Sequence, residues 1–126
     1  MTQAKTDVAT ANQVEARAKI WFERGGKLVL SDWRVELLTA VGETGSLTRA
    51  ADRLHVPYRT AWSKLKEIEE QLGIRLLETQ SGGAGGGGSL LTPEAHELIA
   101  RFRRVRDGVA ELVRERFEAE FSGRLG

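Results

Sequence analysis

The sequence contains no cysteine, only two prolines and no long run of hydrophobic residues. Without cysteine, the chain has no disulfide bonds, thiolate metal ligands or thiol nucleophile. No stretch of about 18 apolar residues is present, so no segment is predicted to span a membrane. The first 17 residues also lack the apolar core of a secretory signal. We therefore expect a cytoplasmic protein.

The chain also lacks an overall excess of either charge, because positive and negative residues nearly cancel and the net charge of the 126 residues is only +1. The composition, 40% hydrophobic and 29% charged, is ordinary for one soluble globular domain. One window departs from this balance, because residues 47–66 hold five basic residues against a single acid. The five are Arg49, Arg53, Arg59, Lys64 and Lys66. Such a patch is either a nucleic-acid surface or a solvated helix face.

The first third of the chain predicts a hairpin followed by a helix. Residues 1–17 have no sustained period and are predicted to be a disordered lead. Alternating apolar residues then flank Gly25-Gly26, which predicts a β-hairpin with a primed two-residue turn. Asp32 is expected to cap a helix that ends near Gly42.

The middle of the chain predicts two helices joined by a short turn. Ser46 is placed to cap a short helix over residues 47–54, and His55-Val56-Pro57 forms the turn. A third helix is predicted from about Tyr58 to Gln71, with Pro57 at its start and Gly73 at its end. This is the spacing of a helix-turn-helix, in which the second helix presents its first turns to the major groove of DNA.

The last third predicts a strand, a glycine-rich loop, a second strand and a long helix. Residues 76–91 would form a wing around SGGAGGGG, and Thr92 would cap a helix over residues 93–121, with a tail at 122–126. Apolar residues of this helix recur three and four apart, which predicts a dimerisation seam. The seam residues are Leu98, Phe102, Val105, Val109 and Leu112. The predicted fold is α+β, mainly α: a winged helix-turn-helix domain at residues 18–92 followed by a dimerisation helix.

The helix faces predict which residues would meet DNA. Once the buried positions of the third helix are set aside, the outward residues are Tyr58, Arg59, Thr60, Ser63 and Lys66. Arginine, serine and threonine can bond base edges or phosphates, and tyrosine can contact sugar or phosphate. Residues predicted to face the DNA backbone from the preceding helix are Ser46, Thr48, Arg49 and Arg53. Trp62 lies between core positions, which favours a packing role for it over base stacking.

These motifs in combination resemble a known family. The run GSLTRAADRLHVPYRTAWSKLKEIEEQLGIRLLET, followed by LTPEAHELI, resembles the DNA-binding domain and linker helix of LysR-type bacterial regulators. The segment at Tyr58–Trp62 and the wing SGGAGGGGSLLT are similar to those of ModE-type, molybdate-responsive regulators. The resemblance implies a homodimer that places Arg59 and its neighbours in the major groove. The wing glycines Gly82, Gly83, Gly85 and Gly86 would then approach the adjacent backbone or minor groove.

Two departures from these families limit what the resemblance implies. Pro57 stands where many LysR-type sequences have serine, which removes a hydroxyl cap and a phosphate contact. No ligand-sensing domain is visible in the 126 residues, so molybdate sensing is not expected here.

Other functions fit the sequence less well. The glycine tract could be a flexible linker, and it contains a formal dinucleotide fingerprint that lacks the surrounding βαβ unit. His55 and His96 are isolated, so neither a metal site nor a cofactor is expected, and no catalytic triad is visible. We expect no enzyme. The leading hypothesis is a sequence-specific double-stranded DNA-binding regulator; the alternatives are a protein-interaction module that pairs with another regulator and a non-specific architectural DNA binder.

Overall fold

The computed structural model describes residues 13–80 and 88–122. Its elements, in chain order, are β1 (Trp21–Arg24), β2 (Lys27–Ser31), α1 (Asp32–Thr44), α2 (Leu47–Arg53), α3 (Tyr58–Leu72), β3 (Leu77–Gln80), β4 (Gly88–Leu91) and α4 (Pro93–Phe121). The strands form two separate antiparallel pairs, β1–β2 and β3–β4. Three helices followed by a strand hairpin make a winged helix-turn-helix, so the predicted fold class is confirmed.

The chain divides into two compact units. Residues Ile20–Arg103 form one unit, and the other contains the described residues 13–19 and 104–122. Residues 1–12 of the predicted lead and 123–126 of the predicted tail lie outside the described residues. The winged domain and the first three turns of α4 therefore belong to the same unit.

The N-terminal hairpin has the predicted primed turn. Gly25 and Gly26 have φ values of 57° and 81°, in the left-handed region that such a turn requires at both positions. The strand register shifts by one residue after Phe22, which pairs with Leu30. Phe22 packs on the core, whereas Trp21 on the other face of β1 is 53% exposed. The alternation of side chains along β1 in the sequence thus predicted correctly which face of the strand packs on the core.

The start and end of α1 differ from the prediction. Ser31, not Asp32, is the N-cap: its backbone is extended and its hydroxyl accepts a hydrogen bond from the Arg34 N–H. Asp32 is the first helical residue, where its charge favours the positive end of the helix. The helix also passes Gly42 and ends at Gly45, which is left-handed with φ of 70°. Serine and aspartate are equally good caps, so composition alone did not separate them.

The other two predicted caps are confirmed. The Ser46 hydroxyl accepts a hydrogen bond of 3.1 Å from the Arg49 N–H at the start of α2. Thr92 Oγ1 accepts one of 3.1 Å from the Ala95 N–H and donates one of 2.6 Å to the Arg75 carbonyl oxygen. Thr92 therefore fixes the start of α4 against the segment that leads into β3.

A single hydrophobic core joins the hairpin and all four helices. Its fully buried large side chains include Leu30, Leu37, Leu65, Ile68 and Phe102. Phe102 is 0% exposed, and its ring centroid lies 5.1 Å from that of Phe22. The prediction for Phe102 therefore needs correction, because a side chain with no free surface in the protomer cannot contact a partner. Leu98 is half-buried against the same core.

The base of the predicted wing is an antiparallel hairpin tied to the rest of the unit. Leu77 pairs with Leu91 and Gln80 with Gly88, so the paired strands lie at the two ends of the segment 76–91 for which a wing was predicted. The Ser89 N–H donates to the Gly45 carbonyl oxygen at 2.9 Å. Gly82, Gly83, Gly85 and Gly86, predicted to contact DNA from the wing, lie outside the described residues.

Close packing explains the glycine inside α1. A Cβ atom on Gly42 would lie 2.8 Å from Leu91 Cδ1 of β4, which is too close for two carbon atoms. Glycine at this position lets the wing base pack directly against α1. The sequence pattern instead made Gly42 look like the end of the helix.

Candidate nucleic-acid interface

The turn between α2 and α3 is short and hydrogen-bonded. The Val56 N–H donates to the Ala51 carbonyl oxygen at 3.0 Å, which closes the turn onto α2. His55 has a φ of 58°, a left-handed conformation that histidine tolerates better than most side chains. Pro57 is the N-cap of α3, directly before Tyr58, the residue at which the helix was predicted to begin. The turn fixes the direction in which α3 leaves α2.

One face of α3 is buried and the opposite face is exposed. Ala61, Leu65 and Ile68 point into the core, as the sequence predicted. The residues predicted to contact DNA are exposed except for Thr60, which is half-buried; they are Tyr58, Arg59, Ser63 and Lys66. Within the described part of the chain, the Arg59 side chain has no hydrogen-bond or ion-pair partner. Its guanidinium is therefore available to a ligand.

Trp62 lies on the exposed side, contrary to the packing role that the sequence favoured. Its side chain is 48% exposed, and Lys66 Nζ lies 5.6 Å from the centre of its ring. Successive helical residues are about 100° apart, so Trp62 is about 60° from buried Leu65 and equally far from exposed Arg59. At such a boundary position helical spacing does not decide burial. From Tyr58 to Lys66, the exposed face of α3 therefore consists of Tyr58, Arg59, Trp62, Ser63 and Lys66, and exposed Glu70 follows in the next turn.

An ion pair fastens the middle of α3 to the body of the unit. Arg34 of α1 is only 4% exposed; its guanidinium donates to Glu67 Oε1 at 2.8 Å and to the Val29 carbonyl oxygen at 3.2 Å. The hydrogen bond from Arg34 holds the pKa of the Glu67 carboxyl below its usual value, with further help from the charge of Lys64. Sequence reasoning missed this pair, because a charged residue within an apolar helix face gives no signal of its partner.

A second carboxylate links α3 to the wing. Glu69 Oε2 accepts a hydrogen bond of 2.7 Å from the Leu76 N–H, and Glu69 Oε1 lies 3.0 Å from Lys66 Nζ. Burial raises the pKa of Glu69, but the Leu76 hydrogen bond and Lys66 outweigh it, so the pKa is lowered. Glu67 and Glu69 thus hold the C-terminal half of α3 to the protein, while the exposed cations lie nearer its N-terminal half.

The residues predicted on α2 differ in how available they are. Thr48 and Arg49 are exposed. The Ser46 hydroxyl oxygen is already used as the helix cap, although its hydrogen can still donate. Arg53 forms an ion pair with Glu43 of α1, which offsets its charge. Arg49 is therefore the arginine of α2 that is most available to contact a phosphate.

Replacing Glu67 with alanine is expected to lower the free energy of unfolding by about 1–2 kcal/mol. Breaking a fully buried pair costs about 3–5 kcal/mol, and partial exposure of the carboxylate reduces this. Because the pKa of Glu67 is lowered on folding, the stabilisation is complete above about pH 4.5 and is lost as the pH falls below that value. Urea unfolding of both proteins from neutral to acidic pH measures this.

Glu70→Ala is the matched control, since Glu70 is an exposed acid on the same helix. It should change stability by less than about 0.5 kcal/mol. An equal loss in both variants, or a Glu67→Ala deficit that does not shrink in acid, would contradict a stabilising Arg34–Glu67 pair.

The described ranges 13–80 and 88–122 contain neither a membrane-spanning helix nor a cluster of metal ligands. No helix there is both long and apolar enough to cross a membrane. No group of three or more histidine, aspartate or glutamate side chains there is arranged to hold a metal ion.

Comparison with known proteins identifies the family to which the helix-turn-helix belongs. Residues 34–96, half of the chain, match the family described as bacterial regulatory helix-turn-helix protein, lysR family. The molybdenum-pterin-binding protein MopB of Rhodobacter capsulatus is 38% identical over 64% of this chain and 30% of its own length. The molybdenum transport protein ModE of Herbaspirillum seropedicae is 43% identical over 56% of this chain and 26% of its own length.

A solved structure extends the comparison to a DNA complex. The BenM DBD in complex with benA site 1 DNA is 28% identical, with a TM-score of 0.51, over 72% of this chain and 96% of that chain. This chain spans less than a third of the length of MopB and ModE, and nearly all of the BenM DBD. The chain belongs to the lysR family of bacterial regulatory helix-turn-helix proteins, as a ModE-like DNA-binding domain.

Proposed function

We propose that this chain binds a specific double-stranded DNA sequence and regulates transcription, and that the 126 residues suffice for binding without a ligand-sensing domain. The observation that carries the proposal is that the two ends of α3 differ in which side chains are exposed and which are bound to the protein. Its first turns expose Arg59 and Ser63, and Lys66 is exposed at the middle of the helix, whereas Glu67 and Glu69 are engaged with the protein. A helix with this polarity can enter the major groove by its first turns, as helix-turn-helix proteins do. Such a protein would work on the chromosome, in the cytoplasm.

Each predicted residue has a role in this proposal. Arg59 reads a guanine through O6 and N7, and Thr60 and Ser63 bond base edges or phosphates. Tyr58 and Lys66 contact the backbone from α3, and Ser46, Thr48, Arg49 and Arg53 do so from α2. Gly82, Gly83, Gly85 and Gly86 let the wing approach the neighbouring backbone or minor groove.

We also propose that the protein acts as a homodimer. Beyond the winged unit, α4 carries apolar side chains that are exposed or half-buried: Val105, Val109 and Leu112. Isolated apolar residues on a surface need no partner. A row of apolar residues that recurs at helical spacing is instead typical of an interface between two helices. A two-fold dimer would read two half-sites about 34–36 Å apart, or a multiple of that distance. No cofactor or metal is required.

Lys66→Ala is expected to weaken binding to all duplexes by a similar factor. Each phosphate contact that is lost should flatten the slope of log affinity against log salt concentration by about 0.9. Titrations of a specific and an unrelated duplex over a range of salt concentrations measure this. Lys64→Ala is the matched control: both lysines pair with a glutamate of α3, but Lys64 lies off the exposed face of the helix and should leave the slope unchanged. Loss confined to one sequence would contradict a phosphate role for Lys66.

Selection from a random duplex pool at physiological ionic strength, about 0.15 M, tests the function itself. The proposal predicts an enriched pseudo-palindrome with half-sites one helical turn or a multiple apart. Retained DNA without an enriched sequence would instead indicate an architectural binder. No retained DNA would indicate a module that pairs with another regulator through α4.

A further inference from the structure

The most unusual group on the exposed face of α3 is the indole of Trp62. It lies within the first turns of the helix, between Tyr58 and Lys66 at four-residue spacing, so the three side chains form one row. Trp21 of β1 is comparably exposed, but its ring N–H donates to Glu23 at 2.7 Å. Among the residues that the structure describes, the Trp62 ring N–H has no such partner. About half of Trp62, including a ring N–H without a partner among the described residues, is therefore open to a ligand.

The surroundings of Trp62 are those of a polyanion surface. Lys66 Nζ, which also pairs with Glu69, lies 5.6 Å from the ring centre, within the range of a cation–π contact. Arg59 and Ser63 are exposed on the adjacent row of the helix. Cations beside a bare aromatic ring suit a groove whose walls are phosphates and whose floor is partly apolar. This charge complementarity makes duplex DNA the occupant of this apolar surface.

We propose that Trp62 is a specificity-determining residue that contacts the C5-methyl group of thymine in the major groove. This inference rests on the proposed DNA binding of α3. Base edges in the major groove present donors, acceptors and a single apolar group, which is the thymine methyl. An indole that enters the groove gains most by covering that methyl, whereas covering a base donor or acceptor would leave a polar group without water. The specific site therefore contains an A·T pair under Trp62.

The test removes only the methyl group from the DNA. In the duplex enriched by selection, each thymine of a half-site is replaced in turn by deoxyuridine, and affinities are measured for wild type, Trp62→Ala and Trp62→Phe. For wild type, one or two such replacements should weaken binding about fourfold each, the factor that corresponds to burial of one CH₂ group. Trp62→Ala should bind more weakly and lose the difference between thymine and deoxyuridine. Trp62→Phe should retain part of it.

Two control variants distinguish loss of the thymine-methyl contact from a general loss of affinity for DNA. Trp21→Ala, at an equally exposed tryptophan outside α3, should retain both affinity and the methyl effect. Lys66→Ala should weaken binding but keep the ratio between the two duplexes. Circular dichroism of each variant shows that the fold is kept.

The outcomes distinguish this inference from the proposed function. Specific binding with equal affinity for thymine and deoxyuridine duplexes overturns the role of Trp62 and leaves DNA binding intact. The same holds if Trp62→Ala retains the wild-type ratio, or if the enriched half-sites contain no A·T pair. Failure to enrich any sequence overturns the proposed function, and the thymine contact with it.

Discussion

Replacement of Phe102 by alanine is expected to lower the free energy of unfolding by about 3–5 kcal/mol. Phe102 is fully buried, and its ring packs on Phe22 of the N-terminal hairpin. Truncation would leave a cavity where α4 seals the core. Because most domains are stable by only about 5–15 kcal/mol, this single change removes a large part of the stability. Urea unfolding followed by circular dichroism measures the loss.

Leu112→Ala is the matched control on the same helix. Leu112 is 47% exposed, so its truncation should cost less than about 0.5 kcal/mol in the folded protomer. It should instead weaken self-association, which sedimentation at several protein concentrations detects. If Phe102→Ala is too unstable to purify, Phe102→Leu gives a smaller loss in the same direction. A stable Phe102→Ala protein that fails to dimerise would contradict the core position of Phe102.

Arg59→Ala is expected to reduce affinity for the specific duplex by about 1–3 kcal/mol, which is roughly 5- to 150-fold. The guanidinium is exposed, and within the described residues it has no partner, so no internal contact competes with a guanine. Loss of a bidentate contact should also relax base preference at one position of each half-site. Fluorescence anisotropy with single-base variants of the duplex measures both effects.

Two further variants show whether charge or geometry is lost. Arg59→Lys keeps the charge but not the two parallel donors, so it should retain non-specific affinity and lose discrimination. Arg101→Ala removes an exposed arginine of α4 that pairs with Glu97, and it should leave binding unchanged. Unaltered base preference in Arg59→Ala would show that another residue reads the base.

The local signals in the sequence were sufficient for the elements and for most of α3. Capping serine and threonine, the Gly25-Gly26 turn and the repeat of Ala61, Leu65 and Ile68 are determined by neighbours a few residues away. These interactions are the same in any fold, so they can be predicted from one chain. The exposed face of α3 followed from the same period.

Features that depend on distant contacts could not be predicted in this way. Among the described residues, the core packs against the opposite edge of α3 and leaves Trp62 exposed, whereas Phe102 is buried because its ring meets Phe22 of the hairpin. Gly42 lies inside a helix, where a Cβ would meet the Leu91 side chain of the wing base. Each outcome depends on how elements pack across the domain, which helical periodicity does not encode.

The most direct test of sequence-specific DNA recognition is the ratio of the protein's affinities for two duplexes at physiological ionic strength. One duplex carries the sequence enriched by selection, and the other has the same base composition in scrambled order. Sequence-specific recognition predicts a ratio of about 10³ or more, as for specific DNA-binding proteins, and a ratio that falls in Arg59→Ala. Equal affinities for the two duplexes would contradict sequence-specific recognition by α3.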